Sequence, residues 1–370
     1  MKVIVAVVSD LVTDQRVHKA SQVLHEQGYE VLLVGRKMKA SQALEPRDYK
    51  TYRVVLPFEK GPLFYMSYNI WLFFFLLLHR FDAVLSNDLD TLLASYSATK
   101  IKGGQLVYDS HEYFVGVPEI QKRKMVKWVW STIEQFIFPK LKNVYTVNQS
   151  IANMYTHQYH IPVKVVRNVP FKLENFKQEE VAIPQWDEKQ KLLIFQGAGI
   201  NIDRGIEEAI EAMQYLEGYL LLIIGGGDVF GNLQSLCEKF GVSNKVTLLP
   251  KMSALKLRSY TMKAALGLSL DKPTNDNYKF SLPNKIFDYT HAGVPVLTSD
   301  VIEVATIVRK YQVGLCLESH DPKHIATKIE EAFSDEARYQ LWKQNTQNVA
   351  NECNWQEDSK VIKDIFSKFA

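Results

Sequence analysis

A chain of 370 residues exceeds the size at which a single hydrophobic core usually stops growing, so two domains are expected. With 46% hydrophobic and 23% charged residues the composition is that of an ordinary soluble globular protein, and three distant cysteines, Cys237, Cys316 and Cys353, speak against a disulfide framework or a zinc site and for a reduced, cytoplasmic compartment. The net charge of +3 is unevenly spread: residues 1–175 hold 22 basic against 15 acidic side chains, the remainder 22 against 26. The first half is therefore the one expected to meet an anionic surface.

The opening run from Val3 to Val8 is too short for a secretory leader and meets Asp10 at once, so it reads as the first strand of a parallel sheet. Asp14 then stands where a helix cap belongs. Val17, Ala20, Ser21 and Leu24 follow the helical period, and Gly28 supplies a stop. Further apolar runs at Val31–Val34, Ala83–Ser86, Leu106–Tyr108 and Val144–Val147 alternate with helical stretches, the pattern of a parallel sheet covered on both faces. Ligands then belong beyond the carboxyl ends of the strands. Ile70–Leu78 is apolar for nine residues, whereas a spanning helix needs about 20. A buried core helix is the expectation here, with shallow membrane insertion as the alternative.

Asp88 and Asp90 form an Asp-x-Asp at a strand end, expected to serve loop hydrogen bonding rather than a metal. His111 follows the next strand in Tyr108-Asp109-Ser110-His111-Glu112, where it could also cap the next helix together with Asp109. Residues 121–130 mix four cations with Trp128 and Trp130, which fits either a peripheral membrane contact or a solvated basic face over an aromatic core contact. No nucleic-acid-reading module accompanies them. The stretch 169–185, with its prolines and charged middle, reads as an interdomain linker.

The second half opens with strand Leu192–Phe195 and the loop Gln196-Gly197-Ala198-Gly199-Ile200-Asn201-Ile202-Asp203-Arg204-Gly205. A dinucleotide fingerprint would need a third glycine at Ile202, which disfavours a nicotinamide-dependent dehydrogenase. The strand Tyr219–Ile224 leads into Gly225-Gly226-Gly227, a turn that lets backbone approach a nucleotide. The run Phe280-Ser281-Leu282-Pro283-Asn284-Lys285-Ile286-Phe287-Asp288 closes on Ala292-Gly293-Val294-Pro295. Pro283 and Gly293 bracket a helix over 284–292, with Lys285 and Asp288 on one face.

These residues resemble the donor site of retaining, nucleotide-sugar-dependent glycosyltransferases of the GT-B fold, of the group 1 and family 4 type. The resemblance implies an α/β architecture of two Rossmann-like domains facing each other across a cleft, with a C-terminal helix crossing back: residues 1–175 plus 355–370 for the acceptor, residues 186–354 for the donor. It implies that Arg204 and Lys285 hold the donor diphosphate, that Asp288 holds the ribose, and that His111 lies near the reaction centre. Gly197, Gly199, Gly227, Met252 and the segment Ser281, Leu282, Pro283 and Asn284 would line the donor, with Asp14 and Asp88 on the acceptor side. Phe280 replaces the first of the family's two acidic positions, and Ala198 replaces a second basic residue.

The function implied is metal-independent, hexosyltransferase-type transfer, without a cofactor, from a nucleoside-diphosphate sugar to a saccharide or lipid-linked saccharide. Such a reaction suits the assembly of a cell-surface polysaccharide or glycolipid, in the cytoplasm or at the inner face of the membrane. A sugar-nucleotide epimerase of the same fold and a non-enzymatic peripheral membrane scaffold are the competing readings.

Overall fold

The computed structural model describes residues 1–173 and 176–369. The chain forms two compact units, Met1–Asn168 together with the segment from Asp358 onward, and Val169–Glu357.

The first unit is built on seven strands: β1 Lys2–Asp10, β2 Glu30–Arg36, β3 Lys50–Val54, β4 Ala83–Asn87, β5 Gln105–Ser110, β6 Asn143–Thr146 and β7 Lys164–Val165. Their order is β3-β2-β1-β4-β5-β6-β7, and every pairing is parallel. The second unit has β8 Lys191–Gly197, β9 Tyr219–Gly225, β10 Val246–Pro250, β11 Leu266–Ser269, β12 Val296–Ser299 and β13 Gly314–Leu317. These are also all parallel, in the order β10-β9-β8-β11-β12-β13. Helices cover both faces of such sheets, so their strands are apolar without alternation: all seven residues of β9 and all five of β4 are buried. Both sheets are Rossmann-like. In each, the strand order reverses beside the first strand, between β1 and β4 and between β8 and β11, and the loops leaving those strands are where such folds bind ligands.

Three sequence expectations are corrected. The stretch 169–185 is not a free linker: Val169, Val181 and Ile183 are buried in the second unit's core, and Pro184 O accepts a hydrogen bond from Thr247 Oγ1 at 2.8 Å. Residues 174 and 175, which include the expected end of the first domain, lie outside the described residues, as does residue 370. Trp355, expected to begin the return to the first domain, is 1% exposed in the second unit, where its backbone N–H donates to Pro170 O at 2.9 Å. The return starts at Asp358, which takes the guanidinium of Arg167 at 2.6 Å, and continues into helix Lys360–Ser367, where Phe366 meets Tyr29. Finally, helix Pro62–Leu78 is buried on one side only.

Candidate active site

The loops after β8 and β11 flank the strand-order reversal of the second sheet, and they are stapled together. Lys272 N donates to Asp203 O at 2.8 Å and Thr274 Oγ1 to Asp203 Oδ2 at 3.0 Å. Gly205, at φ +75°, lies so close to Leu270 that an added Cβ would sit 2.3 Å from its carbonyl oxygen. This staple sets Arg204 beside Asp271. The guanidinium Nη1 lies 3.0 Å from Asp271 Oδ1, and the group is stacked over the Tyr278 ring at 4.3 Å.

Lys285 approaches the other oxygen of the same carboxylate, 3.8 Å from Oδ2, with its ammonium 4.3 Å from the Phe195 ring centroid. Among the described residues Asp271 Oδ2 is buried and accepts no hydrogen bond. Burial pushes the Lys285 ammonium pKa down; Asp271 opposes that and Arg204 adds to it, leaving the group below the usual lysine range. Two cations thus converge on one carboxylate, which offsets part of their mutual repulsion.

Lys285 opens the helix Lys285–His291, one residue later and one residue shorter at its end than its Pro and Gly brackets suggest. In the preceding loop, Ser281 N–H is taken by Tyr278 O at 3.2 Å and Pro283 has no N–H, which leaves Leu282 and Asn284 with backbone donors that bond to no acceptor among the described residues. Asp288 accepts from Gln196 Nε2 at 3.4 Å. Gln196 is itself fixed by Thr261 Oγ1 at 2.7 Å and by Tyr289, whose hydroxyl accepts its backbone N–H at 3.0 Å.

The glycine loops divide by role. An added Cβ at Gly197 or Gly199 meets nothing closer than 3.6 Å, so both leave room above the end of β8. At Gly227, by contrast, φ is +149° and a Cβ would fall 2.5 Å from Ile200 N and O. Ile200 N also donates to Gly226 O at 2.8 Å. Gly227 therefore serves loop-to-loop packing. Met252 is half-buried against the second unit's core.

In the first unit, Asp14 caps helix Gln15–Glu26 by accepting from Val17 N at 3.1 Å. Asp88, left-handed at φ +58°, accepts from His111 N at 2.8 Å and lies 3.2 Å from His111 Nδ1. Loop hydrogen bonding, as expected of the Asp-x-Asp, is what Asp88 does. Asp109 does not join His111 in capping a helix; it is held in a fork by the buried Arg16, at 2.6 Å and 3.0 Å, and faces His111 Nε2 at 3.3 Å. Burial alone would lower the His111 pKa, but the two carboxylates raise it to about 9, so the ring is an imidazolium at neutral pH.

Two family models divide the chain between them: "Glycosyltransferase Family 4" matches residues 14–169 and "Glycosyl transferases group 1" matches residues 176–349. The chain belongs to the GT-B glycosyltransferases. A chitobiosyldiphosphodolichol beta-mannosyltransferase of Candida albicans is 27% identical over 182 residues; the match covers 46% of this chain and only 38% of that protein's length. Sucrose-phosphate synthase from Thermosynechococcus elongatus shares the fold with a TM-score of 0.80 at 15% identity, over 99% of this chain and 98% of that one. Anabaena HepE, solved in complex with UDP-glucose, gives 0.73 at 14% identity over 99% and 100%.

As a GT-B glycosyltransferase the chain has a candidate donor pocket that sequence reasoning left incomplete. Asp271 and Gln196 were missed, as was the Arg16–Asp109 pair behind His111. The available signal for Asp271 was positional, since it stands two residues past the end of the strand that pairs with β8.

Proposed function

We propose that this glycosyltransferase moves a hexose from a nucleoside-diphosphate sugar to a saccharide or lipid-linked saccharide, with retention at the anomeric carbon and without a metal ion. The observation that carries this reading is the convergence of Arg204 and Lys285 on the Asp271 carboxylate. A pyrophosphate presents the same kind of charge as that carboxylate, and two cations already directed at one anion need little reorganisation to receive another. Asp288 and the Leu282 and Asn284 N–H groups supply an acceptor and donors for hydroxyls nearby in sequence and on the same helix start.

In the reaction the bond from the anomeric carbon to the diphosphate oxygen breaks, and that oxygen gains negative charge. Fixed cations aimed at it stabilise the transition state more than the ground state, a contribution that typically reaches about 3 to 4 kcal/mol per donor group. The acceptor hydroxyl bonds to the same face of the carbon, and its proton passes to the departing phosphate. On the first unit, Asp14 and Asp88 are the acceptor-side candidates, and the charged His111 is the catalytic candidate that assists charge and position. Support for a sugar-nucleotide donor comes from HepE, solved with UDP-glucose. Support for a lipid-linked acceptor comes from the Candida protein, whose name places its substrate on a diphosphodolichol.

The test is incubation with a panel of nucleoside-diphosphate sugars and saccharide acceptors in the presence of a chelator, followed by mass and NMR analysis. Nucleoside diphosphate release with a product of retained anomeric configuration is expected. An isomerised sugar nucleotide with no transfer would make the chain an epimerase instead.

A further inference from the structure

The helix Pro62–Leu78 has an outer side that its sequence does not announce. Phe64, Tyr68, Leu72, Phe75 and Leu76 are buried, but Met66, Ile70, Phe74 and Leu78 are 54%, 53%, 57% and 83% exposed. Four residues separate each from the next, so at 3.6 residues per turn they form one stripe along the helix. A second stripe runs along the helix Lys124–Ile137. Its inner side buries Trp130, Glu134 and Ile137, and its outer side exposes Met125, Trp128 and Phe136 at 78%, 67% and 60%.

Both stripes belong to one layer. The crossover from β3 to β4 and the helices that follow β4 and β5 fall on the same face of a right-handed parallel sheet. Contacts join them: Asn69 Nδ2 donates to Asp90 O at 2.7 Å, and the Tyr65 ring meets Trp130 edge-on at 5.5 Å. The helix Leu89–Lys102 adds Leu93 and Ile101 to the exposed side. Exposed apolar side chains ordered in this way on neighbouring helices mark an interaction surface rather than scattered surface residues.

Charge decides what covers it. Lys122, Arg123 and Lys124 stand exposed at the start of the second helix, and the Lys140 ammonium lies 3.1 Å from the Phe136 ring centroid. The one acidic residue between 121 and 142, Glu134, is 1% exposed and bonded to Tyr159, so it does not offset these cations at the surface. A second copy of this face would set like charges against each other. A layer of acidic headgroups meets the cations with opposite charge while the apolar side chains enter the acyl boundary. Among the described residues no helix is long and apolar enough to cross a membrane.

We infer that the outer side of this helical layer, with Ile70, Phe74 and Trp128 at its centre and the cations of 122–124 at its edge, docks on an anionic lipid bilayer and lies in its interface. The inference is independent of the donor chemistry and extends well beyond the basic segment 121–130.

The experiment is sedimentation of the full chain with vesicles of phosphatidylcholine alone and with vesicles that also contain phosphatidylglycerol, alongside tryptophan quenching by lipids brominated in their acyl chains. Binding to the phosphatidylglycerol vesicles, weakened by salt and accompanied by quenching, is expected. The variants Ile70→Glu/Phe74→Glu and Lys122→Glu/Arg123→Glu/Lys124→Glu should each weaken it by about tenfold or more. Their thermal melts and nucleoside-diphosphate binding should match the parent chain, since every changed side chain is exposed and none lies in the donor pocket. The proposal is overturned if the parent chain stays in the supernatant with both vesicle types or if the variants sediment unchanged. A dimer that Ile70→Glu/Phe74→Glu dissociates, with no lipid binding, would give the face to a second copy.

Discussion

Arg204 and Lys285 share one carboxylate: Asp271 offers Oδ1 to the guanidinium at 3.0 Å and Oδ2 to the ammonium at 3.8 Å. The three side chains come from two loops and the first residue of a helix, and Arg204 helps to hold the Lys285 pKa down. Asp271 is therefore the counter-ion of both cations as well as a fixed point for their geometry.

Replacing Asp271 by asparagine leaves two cations facing a neutral amide. Removing one partner of a buried ion pair costs about 3 to 5 kcal/mol. Because the Arg204 side chain is 26% exposed, a loss of about 1 to 3 kcal/mol is expected. Thermal denaturation of Asp271→Asn should show a lowered Tm without nucleotide and a smaller difference from the parent with saturating nucleoside diphosphate, whose phosphates replace the lost charge. A difference that nucleotide leaves unchanged would separate the cation pair from donor binding.

The imidazolium of His111 gives a pH signature. Its pKa is raised from 6.5 to about 9, so its pairing with Asp88 and Asp109 contributes stability fully below pH 6.5, and that contribution is lost as pH rises through 9. His111→Gln should cost about 1 to 3 kcal/mol at neutral pH. The gap between variant and parent should narrow above pH 9 in chemical denaturation. A gap that does not change with pH would mean the ring is not charged.

Glu134 runs the other way. Burial raises its pKa to about 7 despite the hydrogen bond from Tyr159 at 2.7 Å, so the folded state holds a proton that the unfolded state releases near 4.5. Stability contributed by this group falls as pH rises from 4.5 through 7. Glu134→Gln removes the charge and should stabilise the chain by about 1 to 3 kcal/mol at pH 8. The two should be nearly equal at pH 4.5, which unfolding titrations at both values would check.

Two glycines a few residues apart should differ sharply. Gly227→Ala places a methyl 2.5 Å from the Ile200 backbone at φ +149°, and a loss of about 2 kcal/mol or more is expected. At Gly231 a Cβ meets nothing within 4 Å, and Gly231→Ala should stay within about 0.5 kcal/mol of the parent. Equal effects in denaturant melts would contradict the loop packing described here.

Much of this architecture is legible in the sequence for a physical reason. Strands buried on both faces are continuous apolar runs, and the glycines that end them, such as Gly197 and Gly225, mark the loops at their carboxyl ends. Arg204 and Lys285 stand out because glycine and proline punctuate their loops. Asp271 does not, because its partner Arg204 is 67 residues away and no local pattern carries such a contact. The stretch 169–185 misleads because charges surround Val181 and Ile183, which the core claims. Ile70–Leu78 misleads differently: a uniformly apolar run has no periodic contrast, so the sheet beneath helix Pro62–Leu78 decides which side is buried.

The most direct test of the shared anion site is a double-mutant cycle on nucleoside-diphosphate affinity, using calorimetric titration of the parent chain, Arg204→Ala, Lys285→Ala and the double variant. If both cations grip one pyrophosphate, each single change weakens binding by about tenfold or more, and the double change falls short of the sum by about 0.5 kcal/mol or more. Single variants that bind as tightly as the parent would contradict the account.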